Sequence, residues 1–359
     1  MLKRTLVNQA KKHQRIVFSG IQPTGSPHLG NFLGALDNWA KLQQKDSVTY
    51  YSVVDLHAIT LPQDPKVLRQ SKHDMAAALL ACGVDPKQSA LFEQSKVRGH
   101  SELAWIFNCI TPVGWLGRMT QWKSKIEKSH TSHAQALLET STSAGTASLK
   151  MGLFDYPVLQ AADILIYKAT HVPIGDDQIQ HLELCRDIAT LFNNNTKSKY
   201  FTKPEAISPP STKRIMSLRD PSAKMSKSDP SDFSRINLFD EPKVIQQKIS
   251  KAMTDGHKGI SFDTENRPGV SNLINIYAAV TNKSVDDALK DMNGLHNSQQ
   301  LKQAVSDAVI SRIHPIQSEY VKLQADPSYV QQVLKEGAAK AQVTADETME
   351  QVYKLMGLD

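Results

Sequence analysis

The chain has 359 residues, of which 40% are apolar and 22% are charged, and its formal net charge is +6. This composition excludes a disordered chain, and no apolar run reaches the ~18 residues of a membrane helix, so we expect no membrane partner. The modest positive charge permits a nucleic-acid partner. The three cysteines, Cys82, Cys109 and Cys185, lie in apolar stretches without a C-x-x-C pair. This pattern predicts buried free thiols, no zinc site and a reducing compartment.

Residues 1–14 form a basic segment. No acidic residue precedes Asp37, whereas the start of the chain carries five basic ones, Lys3, Arg4, Lys11, Lys12 and Arg15. A basic, acid-free start is typical of an organelle targeting segment, which predicts a mitochondrial presequence. The alternatives are a disordered basic tail that contacts RNA or has no role, and a cytoplasmic protein.

The first structural signal is a strand from Arg15, a glycine-rich loop over 20–31 and an amphipathic helix through Leu33, Leu36 and Leu42. This order can bring a nucleotide to a helix N-terminus, where unpaired N–H groups favour phosphate. His28 could donate a hydrogen bond to a phosphoryl oxygen, and as imidazolium it would add charge. The alternative is a structural turn residue. Neither a Walker A nor a G-x-G-x-x-G pattern fits this loop.

Strand and helix patterns alternate over the first half of the chain. Further strands are predicted at 48–55, 90–93 and, as the last one, 170–174, with helices at 65–82, 101–110 and 115–125. This alternation predicts an α/β fold with a parallel sheet, whose ligands bind at the carboxyl ends of the strands. One such end carries Asp55, Leu56 and His57, which could be part of a site or could only cap the loop.

A buried helix is predicted to start near Pro157, and it carries one carboxylate, Asp163, among aliphatic residues. A buried charge needs a partner, which is either a structural group or an N–H or O–H of an apolar ligand. An acidic turn at 175–178 then opens another helix. Asp177 could cap that helix, and Gln178 could bind an amino acid.

Two lysines, Lys224 and Lys227, lie three residues apart between Pro221 and Pro230. Their ammonium groups can follow a polyphosphate whose charge moves during a reaction, and the hydroxyls of neighbouring serines can donate to phosphate oxygens. The prolines prevent regular structure, so the segment is predicted to be a mobile loop. The alternative is a solvated surface loop.

Two further regions complete the domain organisation. Residues 126–150 are rich in small polar residues and are predicted to be a flexible insertion within a catalytic domain at 15–239. From residue 240 strand signals almost vanish, and apolar residues recur at helical spacing, for example Val244, Ile245, Ile249 and Met253. The segment 240–359 is therefore predicted to be an all-α C-terminal domain.

The His-Leu-Gly-Asn and Lys-Met-Ser-Lys-Ser stretches resemble the two motifs of class I aminoacyl-tRNA synthetases. Several further stretches resemble the bacterial and mitochondrial tryptophanyl group: 18–25, Tyr156-Pro157 with 161–165, Val172-Pro173 with 175–181, and 214–218. The resemblance covers nearly the whole chain from Arg15. It implies a Rossmann-like catalytic domain and a C-terminal domain that binds the tRNA anticodon.

The resemblance also implies roles for individual residues. His28, Lys125, Lys224 and Lys227 would act in catalysis, although the insertion that follows Lys125 weakens its match, and many relatives have Thr in place of His28. Tryptophan would be bound by Phe18 on its ring, by Asp163 at the indole N–H, and by Tyr156 and Gln178 at the α-amino group. ATP would be held by Gln22, Pro23, Thr24, Gly30, Asn31, Gly175, Asp176, Asp177, Ile215, Lys224, Met225, Ser226, Lys227 and Ser228.

The implied reaction is activation of L-tryptophan by ATP, with Mg²⁺ bound through the ATP phosphates, and then transfer to tRNA(Trp). Neither step requires a nucleophile from the protein, and no metal ligand is expected. A homodimer in the mitochondrial matrix is implied. The alternatives are a tyrosyl enzyme of the same class and a synthetase-derived RNA-binding protein without catalysis.

Overall fold

A computed structural model describes residues 15–43, 47–120, 122, 150–175, 178–207, 215–227 and 229–359. The predicted targeting segment 1–14 lies outside these residues, as does the predicted insertion except for Lys150. Four of the residues to which the resemblance gives roles also lie outside them: Lys125, Asp176, Asp177 and Ser228.

The described residues form a five-stranded sheet surrounded by helices. In chain order the elements are β1 (Arg15–Ile21), α1 (Leu29–Asn31), a π-helical turn (Phe32–Leu36), α2 (Asp37–Leu42), β2 (Ser47–Val53), α3 (Asp55–Ala58), α4 (Pro65–Ala81), β3 (Ser89–Glu93), a short 3₁₀ turn (Gln94–Lys96), α5 (Gly99–Ile110), α6 (Val113–Gly117), α7 (Met151–Leu165), β4 (His171–Pro173), α8 (Ile179–Asn195), β5 (Glu205–Ile207), a second 3₁₀ turn (Asp232–Ser234), α9 (Pro242–Ser250), α10 (Pro268–Val280), α11 (Val285–Asp291), α12 (Ser298–Ala325) and α13 (Pro327–Met356).

The sheet is parallel, with strand order β3-β2-β1-β4-β5. The order reverses at β1, since β2 and β3 follow on one side of it and β4 and β5 on the other. Ligands of open parallel sheets bind at the carboxyl edge beside such a reversal. The loop after β1 and the residues after β4 meet at this edge, so the topology predicts the place of the site. The predicted Rossmann-like α/β class is confirmed.

Two apolar clusters hold the sheet between its helices. One contains Phe32, Leu36 and Trp39 together with α4 and the apolar faces of α9, α10 and α12. The other contains Phe18 with the apolar faces of α5, α7 and α8 and part of α13. Because both clusters include C-terminal helices, the helical segment and the sheet share their cores.

The last helix covers the edge of the sheet that β3 would otherwise expose. A Cβ atom at Gly337 in α13 would lie 1.9 Å from the carbonyl oxygen of Leu91 in β3, so only glycine permits this approach. The Tyr50 hydroxyl in β2 also lies 2.9 Å from the Thr344 hydroxyl in α13. No helix of the described residues has both the length and the apolar character needed to cross a bilayer.

Side-chain caps define the starts of four helices. Asp64 accepts hydrogen bonds from the backbone N–H groups of Lys66 and Val67 and precedes a proline at the start of α4. Ser284, Asn297 and Asp326 cap α11, α12 and α13 in the same way. These side chains satisfy N–H groups that a helix leaves unpaired in its first turn, so each helix begins at a defined residue.

Four predictions about elements and burial were wrong. Helix α7 begins at Met151, not near Pro157, because packing outweighs the hydrogen bond that Pro157 loses inside the helix. The strand at 170–174 is not the last, since β5 follows it at the edge of the sheet. Cys109 is exposed, although all three cysteines are free as expected. Met253, placed at helical spacing with Ile245 and Ile249, lies outside the helix, because α9 ends at Ser250.

Candidate active site

A cavity of about 620 Å³ opens at the carboxyl edge of the sheet, beside the reversal at β1. Its floor and walls come from β1, the π-helical turn, α2, α3, α7, β4 and the residue before α8. Seven of the residues predicted to bind substrates line it: Phe18, Gln22, Asn31, Tyr156, Asp163, Gly175 and Gln178. Residues up to 160 positions apart in the chain, Phe18 and Gln178, therefore share one site.

The carboxylate of Asp163 is almost fully buried, at 1% exposure, and borders this cavity. Oδ1 accepts a hydrogen bond from Gln94 Nε2 at 2.7 Å and lies 2.6 Å from His100 Nδ1, while Oδ2 lies 2.8 Å from His57 Nε2. Burial raises the pKa of Asp163, but the hydrogen bonds from His100 and His57 outweigh burial and hold this pKa at about 2. Asp163 is thus an ionised acceptor at neutral pH.

A column of stacked rings supports this carboxylate from behind. Tyr167 stacks on Tyr50 at 4.2 Å and on Phe18 at 5.7 Å between ring centroids. The Tyr167 hydroxyl lies 2.7 Å from His100 Nε2. Because the carboxylate of Asp163 can only accept, His100 Nδ1 carries a proton. Tyr167, His100 and Asp163 therefore form one hydrogen-bonded chain.

The cavity wall contains a second polar group, which includes Tyr156 and Gln178. His181 joins them, with Nε2 at 3.0 Å from the Tyr156 hydroxyl and Nδ1 at 3.1 Å from Gln178 Oε1. Gln160 Nε2 donates to the same Gln178 oxygen at 3.4 Å. His181 therefore links the Tyr156 hydroxyl to the Gln178 side chain on one wall of the cavity.

The loop after β1 ends in a helix cap made by His28. Its Nδ1 accepts from the backbone N–H of Asn31 at 3.2 Å, and Asn31 Oδ1 accepts from the backbone N–H of His28 at 3.1 Å. Burial, and then the charges of Lys227 and Arg235, lower the pKa of His28 to about 4. The imidazolium considered from the sequence is therefore wrong for neutral pH. Since Nδ1 is the acceptor, the proton of the neutral ring lies on Nε2, which remains a donor.

The lysine loop, residues 224–227 and 229, lies against the loop after β1. Lys227 Nζ donates to the carbonyl oxygens of Thr24 at 2.6 Å and Gly25 at 3.1 Å. Burial lowers the pKa of Lys227 to about 8. Met225 is buried in the core, and its N–H donates to the Ile215 carbonyl oxygen at 3.0 Å. The loop is therefore anchored by Met225, while Lys224 is exposed.

A family model described as tRNA synthetases class I (W and Y) matches residues 10–314 of the chain. Among curated proteins, a mitochondrial tryptophan tRNA ligase of Schizosaccharomyces pombe is 44% identical, over 100% of this chain and 99% of that protein. A tryptophan tRNA ligase of Brucella melitensis is also 44% identical, over 95% of this chain and 97% of that protein.

Among solved structures, the tryptophanyl-tRNA synthetase of Campylobacter jejuni complexed with ADP and tryptophan matches with a TM-score of 0.76. It is 32% identical, and the match covers 96% of this chain and 100% of that one. The chain belongs to the tryptophanyl-tRNA synthetase family. The resemblance seen in the sequence is thereby confirmed.

The residues with predicted roles in a tryptophanyl-tRNA synthetase fall into two sets, those that line the cavity and those that do not. The predicted tryptophan ligands all border the cavity, whereas Pro23, Thr24, Gly30, Lys224 and Lys227 do not line it. The Ile215 side chain is buried in the core, and its carbonyl oxygen is bonded to Met225.

Several residues that contact or act on Asp163 and His28 were not predicted from the sequence. Gln94, His100 and Tyr167 support Asp163, and no local pattern distinguishes them from core residues. For His57 the sequence left two alternatives, a site residue or a loop cap. His57 contacts Asp163 and lines the cavity. Its neighbour Asp55 accepts hydrogen bonds from Ser95 and Lys72. Arg235 was not predicted either, and its positive charge contributes to the lowered pKa of His28.

Proposed function

We propose that the chain activates L-tryptophan with ATP and transfers the tryptophanyl group to tRNA(Trp). The observation that carries this proposal is one cavity with an ionised buried acceptor, Asp163, at one end and the loop after β1 at the other. An aromatic side chain between these ends would place its ring N–H on the acceptor and its carboxylate toward the phosphate-binding loops.

In this proposal the tryptophan carboxylate attacks the α-phosphorus of ATP, a C–O–P linkage forms, and the bond to pyrophosphate breaks. The protein supplies no nucleophile. Its contribution is alignment of the two substrates and stabilisation of charge on the phosphates. Lys224 and Lys227 stabilise the leaving pyrophosphate, and Nε2 of neutral His28 donates to a phosphoryl oxygen.

Magnesium would enter with the phosphates of ATP. Among the described residues no group of three or more His, Cys, Asp or Glu side chains could hold a metal ion. Lys224 and Lys227 are cationic donors and His28 is a neutral one, which suits phosphate oxygens and not a bare cation. When bound, Mg²⁺ neutralises part of the phosphate charge, and the chain's own residues orient the phosphates around it.

The tRNA partner is assigned to the helical segment. We propose that residues 15–239 are the catalytic domain and residues 240–359 bind the anticodon. The shared core supports communication between them, because α13 contacts β3 and bonds to Tyr50. In the second step the adenylate carbonyl is attacked by the hydroxyl of the terminal tRNA ribose, and AMP leaves.

The place of action is proposed to be the mitochondrial matrix. The basic, acid-free residues before Asp37 support this assignment, and so does the similar Schizosaccharomyces pombe protein, which is named mitochondrial. A bacterial relative is equally identical, so a cytoplasmic location is the alternative outcome. Fusion of residues 1–36 to a fluorescent reporter decides between them, since import of the reporter supports the matrix and diffuse fluorescence contradicts it.

We also propose a homodimer. Five large apolar residues are more than half exposed on adjoining elements: Ile59, Leu61, Trp105, Val113 and Met151. Helices α5 and α7, which carry two of them, are joined by the hydrogen bond from Asn108 to Asp155. An apolar surface of this kind on a soluble chain is suited to a second copy.

The deciding experiment is exchange of labelled pyrophosphate into ATP, which needs no tRNA. Wild-type protein, Lys227→Ala and Asp163→Ala are compared, with exposed Lys258→Ala as the charge control and tyrosine tested in parallel. We expect tryptophan-dependent exchange, a loss of about 10²- to 10³-fold in Lys227→Ala, and lost tryptophan selectivity in Asp163→Ala. Exchange with tyrosine alone would favour the tyrosyl alternative. No exchange with any amino acid would favour an RNA-binding protein.

A further inference from the structure

The segment that follows the lysine loop, residues 230–240, is bonded to the loop after β1. We call it the exit segment. Leu29 N donates to the Ile236 carbonyl oxygen and Leu238 N donates to the Pro27 carbonyl oxygen, both at 2.8 Å. Asn237 pairs with His28 in an antiparallel bridge. The position of the exit segment therefore affects both loops that face the phosphates.

Arg235 connects the exit segment to the lysine loop. Its Nη1 donates to the carbonyl oxygen of Asp229 at 3.0 Å, and its Nη2 lies 3.1 Å from Asp232 Oδ1. The guanidinium is planar and presents its donors at fixed angles, so these two bonds, with a third from Nε to Asn237 Oδ1 at 3.2 Å, set the direction in which the chain leaves the lysine loop. Asp232 in turn holds the guanidinium in place.

Lys248 lies behind this arrangement and is only 1% exposed. Its Nζ lies 2.6 Å from Asp232 Oδ2 and 2.6 Å from Asp240 Oδ2. Together with Arg235 the group holds two cations and two carboxylates, so its formal charges balance. The hydrogen bond from Lys248 is the largest cause of the lowered pKa of Asp232. We call these four residues the ion cluster.

The ion cluster joins the phosphate loops to the C-terminal helices. Lys248 belongs to α9, whose neighbouring residues Ile245 and Ile249 are fully buried in the core that α9 shares with α12. The ammonium is thus fixed by a packed helix and holds Oδ2 of Asp232, which is 54% exposed, while Oδ1 accepts from Asn237 Nδ2 at 3.0 Å. Removal of the ammonium would also leave the carboxylates of Asp232 and Asp240 close together without a shared cation.

We propose that Lys248 is a positioning residue for adenylate formation. It acts through Asp232 and Arg235 to fix the exit of the lysine loop, and so the position of the Lys227 ammonium at the phosphates. This inference rests on the proposed function. Lys248 does not line the cavity. Within the described part of the chain no hydrogen bond or ion pair joins the ion cluster to Asp163, whose partners are His57, Gln94 and His100.

Because the ion cluster is not bonded to Asp163, its loss should affect ATP and not tryptophan. Loss of the ion cluster displaces groups at the phosphates, while the far end of the cavity keeps its own hydrogen bonds. A displacement of about 1 Å at a reacting centre can cost on the order of 100-fold in rate. We therefore expect an effect on ATP and on the rate of activation without an equal effect on tryptophan binding.

The test uses the full chain with Lys248→Met and Asp232→Asn. Asp232→Asn alters a half-exposed residue, so it keeps the test valid where Lys248→Met fails to fold. Lys243→Met, an exposed lysine on the same helix, is the matched control. Pyrophosphate exchange gives kcat and the KM for ATP, and calorimetric titration gives the Kd for tryptophan.

In both variants we expect the KM for ATP to rise and kcat to fall, with a combined loss of about 10- to 100-fold. The Kd for tryptophan should stay within about twofold of the wild-type value, because the contacts of Asp163 are unchanged. Unchanged ATP kinetics in folded Asp232→Asn would overturn the proposal, as would a parallel loss of tryptophan affinity. Absence of exchange in the wild-type protein would instead contradict the proposed function.

Discussion

His100 Nδ1 lies 2.6 Å from Asp163 Oδ1, and both side chains are almost completely buried. Gln94 donates to the same oxygen, whereas Oδ2 has one partner, His57. A carboxylate oxygen can accept two hydrogen bonds. The remaining acceptor capacity of Asp163 is therefore on Oδ2, the oxygen that shares its environment with cavity-lining His57.

This geometry predicts how the site recognises an indole N–H. Asp163→Asn replaces part of the acceptor with an N–H₂ group that faces the donors already present. We expect wild-type protein to activate tryptophan about 10⁴-fold better than an analogue with sulfur in place of the ring nitrogen, because the analogue leaves Asp163 without its ligand donor. Asp163→Asn should lose most of this preference.

The measurement is kcat/KM for amino-acid-dependent pyrophosphate exchange with both compounds. Asp155→Asn is the matched control, since Asp155 lies on the same helix and bonds only to Asn108 among the contacts described. An unchanged preference in folded Asp163→Asn would show that another residue recognises the ring nitrogen.

A second prediction concerns the stability of the supporting chain. Tyr167→Phe removes the hydroxyl that lies 2.7 Å from His100 Nε2 and leaves that buried nitrogen without a hydrogen-bond partner. We expect a loss of about 1–3 kcal/mol in the free energy of unfolding. Urea denaturation measures it, and Tyr353→Phe, whose hydroxyl is near the surface, should change little by comparison. Equal stability of Tyr167→Phe and wild type would show that this hydrogen bond contributes nothing to stability.

The contacts of Asp163 also show which features of the site can be predicted from the sequence and which cannot. The need for a partner followed from one charged residue in an apolar helix, which is a local observation. The partners themselves are 106, 69 and 63 residues away, and no local pattern indicates them. Conversely, the strand, loop and helix around His28 were predictable because their signals are contiguous. The short strand β5, with sequence Glu-Ala-Ile at a mostly exposed edge, has no periodic pattern.

A third prediction separates the two roles of His28. His28→Asn keeps a good N-cap residue but shortens the side chain, whereas His28→Ala loses the cap as well. We expect both variants to lose about 10²- to 10³-fold in exchange rate if Nε2 donates to the phosphate. Only His28→Ala should lose about 1 kcal/mol of stability in thermal unfolding. Full activity of His28→Asn would show that His28 only caps the helix and does not contribute to the exchange reaction.

A fourth prediction addresses the homodimer. Met151→Lys and Trp105→Lys each place a charge in the exposed apolar surface, and we expect both to shift the chain to a monomer in sedimentation velocity. Val321→Lys, which alters an equally exposed apolar residue on α12, is the control and should leave the dimer intact. A wild-type monomer, or a dimer that survives both substitutions, would exclude this surface as the interface.

The last prediction follows from the lowered pKa of Lys227, about 8 in the protein without ATP. The folded-state pKa lies below the ordinary value of 10.5, so the ammonium predominates below pH 8, is half deprotonated near pH 8 and is lost as the pH rises further. ATP needs the charged form. We therefore expect the Kd for ATP to increase above pH 8, by up to about tenfold per pH unit, and ATP binding near pH 8 to take up protons.

Calorimetric titration of ATP in buffers of different ionisation enthalpy measures that proton uptake directly. Lys227→Arg provides the control, because a guanidinium stays protonated over this range and should abolish both the proton uptake and the pH dependence. A wild-type protein that binds ATP with no proton uptake at pH 8 would mean that Lys227 is already fully charged there. In that case the carbonyl oxygens of Thr24 and Gly25 stabilise the ammonium enough to offset its burial.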